Sequence, residues 1–309
     1  MLDIYLRGEV DRVSPEAPVV VVRVRDRKDA LGGAANVAQN VAAIGARVEL
    51  VGIVGADAPG ERLREMLGAL GGDTRGLVRT ARPTTTKTRV LARSQQLVRV
   101  DEEVDADCID DDVARLLASV ERAVSEADAL VLEDYNKGVL VVPVIERAIA
   151  LARAKGIPIV VDPKFRNFYA YKGATIFKPN RRELESALGA ALDVDHPATL
   201  RHVLQRLEVQ HLLLTLSEQG MALVEQTHGA AQDEEVVVHR IPTTAREVYD
   251  VVGAGDTVTA YLAAMLAAGA TPLEAAVISN YAAGVEVAKL GAASVSPAEV
   301  LAAFDRHAG

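Results

Sequence analysis

The segment Val248-Tyr249-Asp250-Val251-Val252-Gly253-Ala254-Gly255-Asp256-Thr257 runs directly into an apolar helical stretch that continues to residue 268. Two glycines one residue apart let the backbone turn tightly and let successive amide N–H groups converge. The helix that follows adds the positive end of its dipole at the same place. The product is an anion hole made by Gly253, Ala254 and Gly255, with Asp256 at its rim. There the carboxylate can accept a proton from a hydroxyl that attacks a bound phosphate. Such an arrangement suits phosphoryl transfer, where positioning and charge stabilisation dominate. A glycine turn capped by an aspartate has the same spacing, and the segment alone does not separate the two readings. It is not a Gly-x-x-x-x-Gly-Lys-Ser/Thr phosphate loop. Nor is it a dinucleotide fingerprint, which falls after the first strand and not near the C-terminus.

Upstream, from residue 31 on, helical and strand patterns alternate. Helices are predicted over 34–44, 60–70 and 144–155, with Gly45 and Gly156 as C-terminal stops. Short apolar strands are predicted over 47–54, 129–132, 157–161, 174–177 and 212–216. This order predicts an α/β fold with a mainly parallel sheet covered on both faces. Two regions, about 4–25 and 84–101, look like strands without crossover helices. In the second, Thr86, Thr88, Val90 and Ala92 alternate with Lys87, Arg89, Leu91 and Arg93, the pattern of a sheet with one open face. They predict a small separate sheet, a lid. Near the C-terminus, Thr271-Pro272-Leu273-Glu274 and Ser296-Pro297-Ala298-Glu299 are capping boxes with proline at the first helical position.

Composition narrows the function. The chain has 309 residues, half of them hydrophobic, and a formal net charge of −9. The negative charge disfavours a nucleic-acid footprint, but a single triphosphate needs only helix N-termini, a metal ion and a few cations. No apolar run reaches a bilayer span, and the N-terminus lacks the order of a signal peptide, so no membrane partner is expected and the cytoplasm is the economical location. The lone Cys108 excludes a disulfide framework and a Cys-rich zinc site. No neighbouring histidine or lysine activates it. The acidic run 101–112 reads as a solvated loop before a helix at 113–125.

Other segments carry two readings each. Asn180-Arg181-Arg182-Glu183 is by spacing a capping box; its functional alternative places Asn180 near phosphates and Glu183 on a magnesium-bound water. Gly32-Gly33-Ala34-Ala35-Asn36 is a loop-to-helix turn or a close approach to a polar ligand. Thr215-Leu216-Ser217-Glu218-Gln219-Gly220 and Asp162-Pro163-Lys164 end strands, where open α/β sheets bind ligands.

The ordered set Gly-Gly-x-x-Asn, Asn-x-x-Glu, Thr-x-x-x-x-Gly and Gly-Ala-Gly-Asp resembles the ribokinase-like, or PfkB, carbohydrate kinases over essentially the whole chain. Within that family the chain is most similar to kinases of D-glycero-β-D-manno-heptose 7-phosphate. That narrower likeness rests on Val13-Ser14-Pro15-Glu16-Ala17-Pro18-Val19, Thr86-Lys87-Thr88-Arg89-Val90, Gln95-Gln96-Leu97, Asp134-Tyr135-Asn136-Lys137-Gly138 and Arg246-Glu247-Val248-Tyr249-Asp250-Val251. The resemblance implies a three-layer α/β core with a β-sheet lid, often the dimer contact. It implies transfer of the ATP γ-phosphoryl group to the anomeric hydroxyl, giving heptose 1,7-bisphosphate for ADP-heptose and lipopolysaccharide synthesis.

By motif, Asp256 would be the base and Gly253, Ala254 and Gly255 the anion hole. Asn180, Arg181, Arg182 and Glu183 would serve ATP and Mg2+, and Thr215, Ser217, Gly220 and Asn280 would lie along the nucleotide. Asp3, Gly32, Gly33 and Asn36 would hold sugar hydroxyls, with Arg89 and Arg93 on the sugar phosphate. A monovalent cation is a further cofactor to consider. The alternatives are a ribokinase-like kinase of another sugar, sugar acid or nucleoside, and a catalytically silent binding protein on the same fold.

Two departures stand out. Family members begin with a complete strand ending in Gly-Asp-x-Met-Leu-Asp, whereas this chain starts at Met1-Leu2-Asp3, so the first core strand is expected to be missing. Some relatives carry a C-terminal adenylyltransferase; residues 1–309 are expected to form one kinase domain without it.

Overall fold

The computed structural model describes residues 1–93, 95–228, 234–245, 248–289, 291 and 293–308. Arg246 and Glu247, which contribute to the heptose-kinase likeness, lie outside the described residues. The chain opens on two long antiparallel strands, β1 (Leu2–Val13) and β2 (Val20–Leu31), followed by α1 (Ala34–Ala43), β3 (Gly52–Gly55), α2 (Ala58–Ala69) and β4 (Leu77–Thr80). Then β5 (Thr86–Ala92) and β6 (Gln95–Glu102) return to β1, giving a four-stranded sheet in the order β2-β1-β5-β6. This is the expected lid. Its strands run longer than their sequence pattern suggested, β1 from Leu2 and β2 as far as Leu31.

The second half alternates α3 (Asp110–Glu126), β7 (Leu130–Glu133), α4 (Val142–Lys155), β8 (Ile159–Asp162), β9 (Ile176–Phe177), α5 (Arg181–Leu188), α6 (Pro197–Leu207) and β10 (His211–Thr215). β11 (Met221–His228) and β12 (Glu234–Ile241) add antiparallel strands, and α7 (Ala254–Ala267), α8 (Pro272–Glu286) and α9 (Pro297–Ala308) close the chain. The larger sheet has the order β12-β11-β10-β9-β8-β7, parallel from β7 to β10. Successive strand residues point to opposite faces, and both faces are dry. Ile159, Val161, Leu212 and Leu214 pack into one buried cluster with residues of α3, α4 and α6. Val160, Leu213 and Leu223 pack into another with Val258 and Leu262 of α7 and Ala275 of α8. Helix, sheet and helix therefore form the three expected layers.

Two strands are shorter than predicted. The 47–54 pattern yields only Gly52–Gly55, with Glu49 making an isolated bridge to Asp73. The 174–177 pattern yields Ile176–Phe177, although the Thr175 backbone still bonds to Ile159 on one side and His211 on the other. Among the described residues, β7 is an edge of the six-stranded sheet and β3–β4 form a separate parallel pair. A cavity of about 800 Å³ lies between them, lined by Val51, Ile53, Leu130 and Leu132.

Candidate active site

α7 starts at Gly253, whose φ of 99° requires a glycine. The turn brings Asp256 into the first turn of α7, only 7% exposed. Two distant residues hold its carboxylate. Asn36 Nδ2 donates to Oδ2 at 2.7 Å, and the Tyr135 hydroxyl donates to Oδ1 at 2.8 Å. Asn36 comes from α1, which lies against α7, and is braced by Asn40, whose Nδ2 donates to the Asn36 carbonyl at 3.0 Å. Gly33 caps α1 at φ 56°, and a Cβ there would lie 3.2 Å from the Tyr135 ring. A Cβ on Gly32 would lie 2.6 Å from Asp3 Oδ2. The paired glycines thus let Tyr135 and Asp3 close in on one point. Sequence reasoning set Asn36 on a sugar hydroxyl; one of its two amide N–H groups is donated to Asp256.

A dense charge cluster surrounds this carboxylate. Glu133, Asp162 and Asp256 each offer an oxygen within 4.8 Å of the others. Lys178, fully buried, donates to Asp162 Oδ2 at 2.9 Å. Gly255 leaves open the space beside this pair: a Cβ there would be 3.8 Å from Lys178 Nζ. Burial pushes the Asp256 pKa up to about 6, against the lowering effect of the Asn36 and Tyr135 hydrogen bonds, with Asp162 adding to the rise. Burial, reinforced by Asp162 and Asp256, also pushes Glu133 well above the usual carboxylate range. Burial disfavours the charged form of Lys178, but Asp162 and Glu133 more than offset it and hold the ammonium charged.

At the head of α5 the arrangement is local. Asn180 Oδ1 accepts from the Glu183 amide and Glu183 Oε2 accepts from the Asn180 amide, both at 2.9 Å, completing the capping box. The other Glu183 oxygen pairs with Lys164. Both oxygens are therefore engaged, so the donor set suits a cation held through water better than direct ligation. Asn180 bridges to Thr215 at the end of β10. Ser217 and Gly220 follow at φ 54° and 81°; a Cβ on Gly220 would lie 2.2 Å from the Ile241 carbonyl. Asn280 is buried on α8, with Nδ2 donating to the Pro242 carbonyl at 2.8 Å. Arg181 turns away to the Leu192 carbonyl and Glu185, and Arg182 is exposed.

On the lid, Asp3 is buried and pairs with Arg89 at 2.8 Å, and the Arg89 guanidinium lies 5.3 Å from the centre of the Tyr5 ring. Arg93 does not join them: it is exposed at the β5–β6 turn, at φ 55°. That is about 13 Å further along at ~3.3 Å per strand residue. Tyr135, Lys178 and Glu133 were not assigned to the site from the sequence. Tyr135 lay in a quoted motif and Asp162 in a noted strand end, so position at the C-terminal ends of parallel strands was the signal available. Cys108 does have a cationic neighbour, Arg82 Nη1 at 2.9 Å from Sγ, yet burial still pushes the thiol up.

A buried acid at a glycine-started helix, on an α/β sheet with a β lid, defines a small-molecule kinase architecture. The pfkB family carbohydrate kinase model matches residues 1–299, and the chain belongs to that family of sugar kinases. It is 47% identical over 305 residues to the bifunctional protein HldE of Gluconacetobacter diazotrophicus, covering 98% of this chain and 61% of that protein. It is 44% identical to HldE of Rhodospirillum rubrum, covering 99% of this chain and again 61% of the relative. The chain thus spans about three fifths of the length of these relatives and matches their kinase half. In fold it is similar to phosphofructokinase-2 of Escherichia coli solved with potassium (TM-score 0.78, 19% identity, 100% of this chain and 96% of that one). It is also similar to Arabidopsis thaliana ribokinase complexed with ribose and ATP (TM-score 0.72, 21% identity, 98% and 95%). Among the described residues no helix is long and apolar enough to cross a membrane.

Proposed function

We propose that the chain transfers the γ-phosphoryl group of ATP to the anomeric hydroxyl of D-glycero-β-D-manno-heptose 7-phosphate, in the cytoplasmic synthesis of ADP-heptose. The observation that carries the reading is the buried Asp256 carboxylate, aimed by Asn36 and Tyr135 at the mouth of a helix N-terminus. As the anomeric oxygen forms its bond to the γ-phosphorus, Asp256 takes the hydroxyl proton, and the bond to the ADP oxygen breaks. The amides of Gly253, Ala254 and Gly255 face the charge that develops on the phosphoryl oxygens. Asn180, Thr215, Ser217, Gly220 and Asn280 lie along ATP. Mg2+, when bound, neutralises phosphate charge, and Glu183 holds it through water. The choice of sugar rests on the segments that carry the heptose-kinase likeness, because two of them supply Tyr135 and Arg89 to this site. Asp3 and the Gly32-Gly33 turn meet the sugar hydroxyls, and Arg89 meets its phosphate.

Two further parts of the reading have their own support. The buried Glu286 carboxylate has the Ala293 backbone N–H beside it, and Asp250 adds a second negative charge nearby. That pair suits a monovalent cation. The lid face bearing Val10, Val24, Val98 and Val100 is exposed and apolar, which suits a homodimer through the lid. The test is a substrate panel read by ADP release. Heptose 7-phosphate should give a rate far above ribose, fructose 6-phosphate or adenosine; a reversed order would assign another acceptor.

A further inference from the structure

The catalytic-base reading uses Asp256 but leaves its two carboxylate neighbours without a task. Asp162 is balanced by Lys178. Glu133 has no such partner: its Oε2 is shut off from solvent and makes no hydrogen bond. A buried carboxylate oxygen without a donor is costly, and the Glu133 carboxylate offers an oxygen within 4.8 Å of oxygens from Asp162 and Asp256. Three carboxylates against Lys178, with Lys164 nearby but paired to Glu183, leave the cluster with an excess of negative charge when ionised. Glu133 also lines the 800 Å³ cavity between β3 and β7, so there is room beside its carboxylate for water. Magnesium and manganese favour oxygen donors, and magnesium keeps several of its waters.

We propose that Glu133 and Asp162 bind a divalent cation directly, with Asp256, whose two oxygens are already engaged, reaching it through water, at a site separate from the one at Glu183. The site rests on the proposed phosphoryl-transfer reading for its use, since it places the cation beside the acceptor-side carboxylate. Its existence needs neither nucleotide nor sugar. Three strand or helix ends converge on it: β7 brings Glu133, β8 brings Asp162 and α7 brings Asp256. Lys178 pairs with Oδ2 of Asp162, and a carboxylate can bind an ion while it keeps one such partner.

The experiment is a nucleotide-free Mn2+ titration of the whole chain, followed by the electron paramagnetic resonance of free Mn2+, with the thermal midpoint read in parallel. The wild type should bind one Mn2+ and melt higher with it. Glu133→Gln should weaken that binding at least tenfold and lose the midpoint rise, and Glu133→Ser provides a smaller side chain should the first variant fold poorly. Glu183→Gln should bind nucleotide-free Mn2+ as the wild type does. A wild type that binds no Mn2+ without nucleotide, or Glu133 variants that bind it undiminished, would overturn the site. A wild type that binds no Mn2+ without nucleotide yet releases ADP with heptose 7-phosphate condemns the cation site alone. Mn2+ binding in a chain that releases no ADP with any sugar upholds the cation site and condemns the kinase reading.

Discussion

Asp256 and Glu183 are both carboxylates in the first turn of a helix, and the chain holds them by opposite means. Glu183 is secured within its own turn: Asn180 and Glu183 satisfy each other's amides three residues apart, and only Lys164 comes from elsewhere. Asp256 has no such local partner. Its donors are Tyr135, 121 residues away, and Asn36, 220 residues away. A locally built end survives small shifts in the packing around it. An end assembled from three separate elements holds only while β7, α1 and α7 keep their places. In exchange it can sit in a dry pocket, where burial lifts its pKa to about 6 and makes it a better base near neutral pH.

The largest break in this comparison is expected from Asp256→Asn. The isosteric amide keeps the pocket filled, so ATP binding should stay largely intact while turnover falls by roughly 10²–10⁴-fold, the usual contribution of a general base. Turnover near that of the wild type would remove Asp256 from the role.

Tyr135→Phe tests the long-range support itself. The Tyr135 hydrogen bond favours the ionised carboxylate, so its loss should raise the Asp256 pKa above about 6. A hydrogen bond to a charged group is worth about 1.5–3 kcal/mol, and one pH unit corresponds to about 1.4 kcal/mol. The acid limb of kcat/KM should therefore move upward by about one unit. Below the limb Asp256 is protonated and cannot accept the hydroxyl proton, so the variant should lose most at pH 6 and approach the wild type near pH 9. A limb that stays in place would mean that Tyr135 does not tune the base.

What the sequence made legible follows the same division. The boxes at Asn180, Thr271 and Ser296, the stops at Gly45 and Gly156, and the glycine start of α7 are events within one turn, and all stand as expected. The alternation of the lid strands and the short apolar core strands was equally plain. Tyr135, Lys178 and Glu133 were not, because their roles depend on which strand ends the parallel sheet sets side by side. The same holds for Arg82 beside Cys108: no window of neighbouring residues contains both. Arg93 shows the reverse error. It shares the strand pattern of Arg89, but Arg89 falls beside Asp3 and Arg93 falls past the end of β5 at an exposed turn.

The smallest effects should come from the locally built end, and two substitutions there separate structure from chemistry. Asn180→Ala removes the cap of α5, which costs about 1 kcal/mol, or roughly 1–2 °C in the thermal midpoint of a chain this size. Glu183→Gln keeps a residue able to close the box but gives up the charge that pairs with Lys164. Its midpoint should stay within about 1 °C of the wild type, while the KM for MgATP rises severalfold. Asn180→Ala should not move the pH limb, because it touches neither Asn36, Tyr135 nor the cluster around Lys178 that sets it; Glu183→Gln reaches the limb only through Lys164, whose Nζ lies 5.7 Å from the centre of the Tyr135 ring. If Asn180→Ala did shift the limb, the two ends would be coupled through the Asn180–Thr215 bridge at the end of β10, and the Glu183 end would be no more local than the Asp256 end.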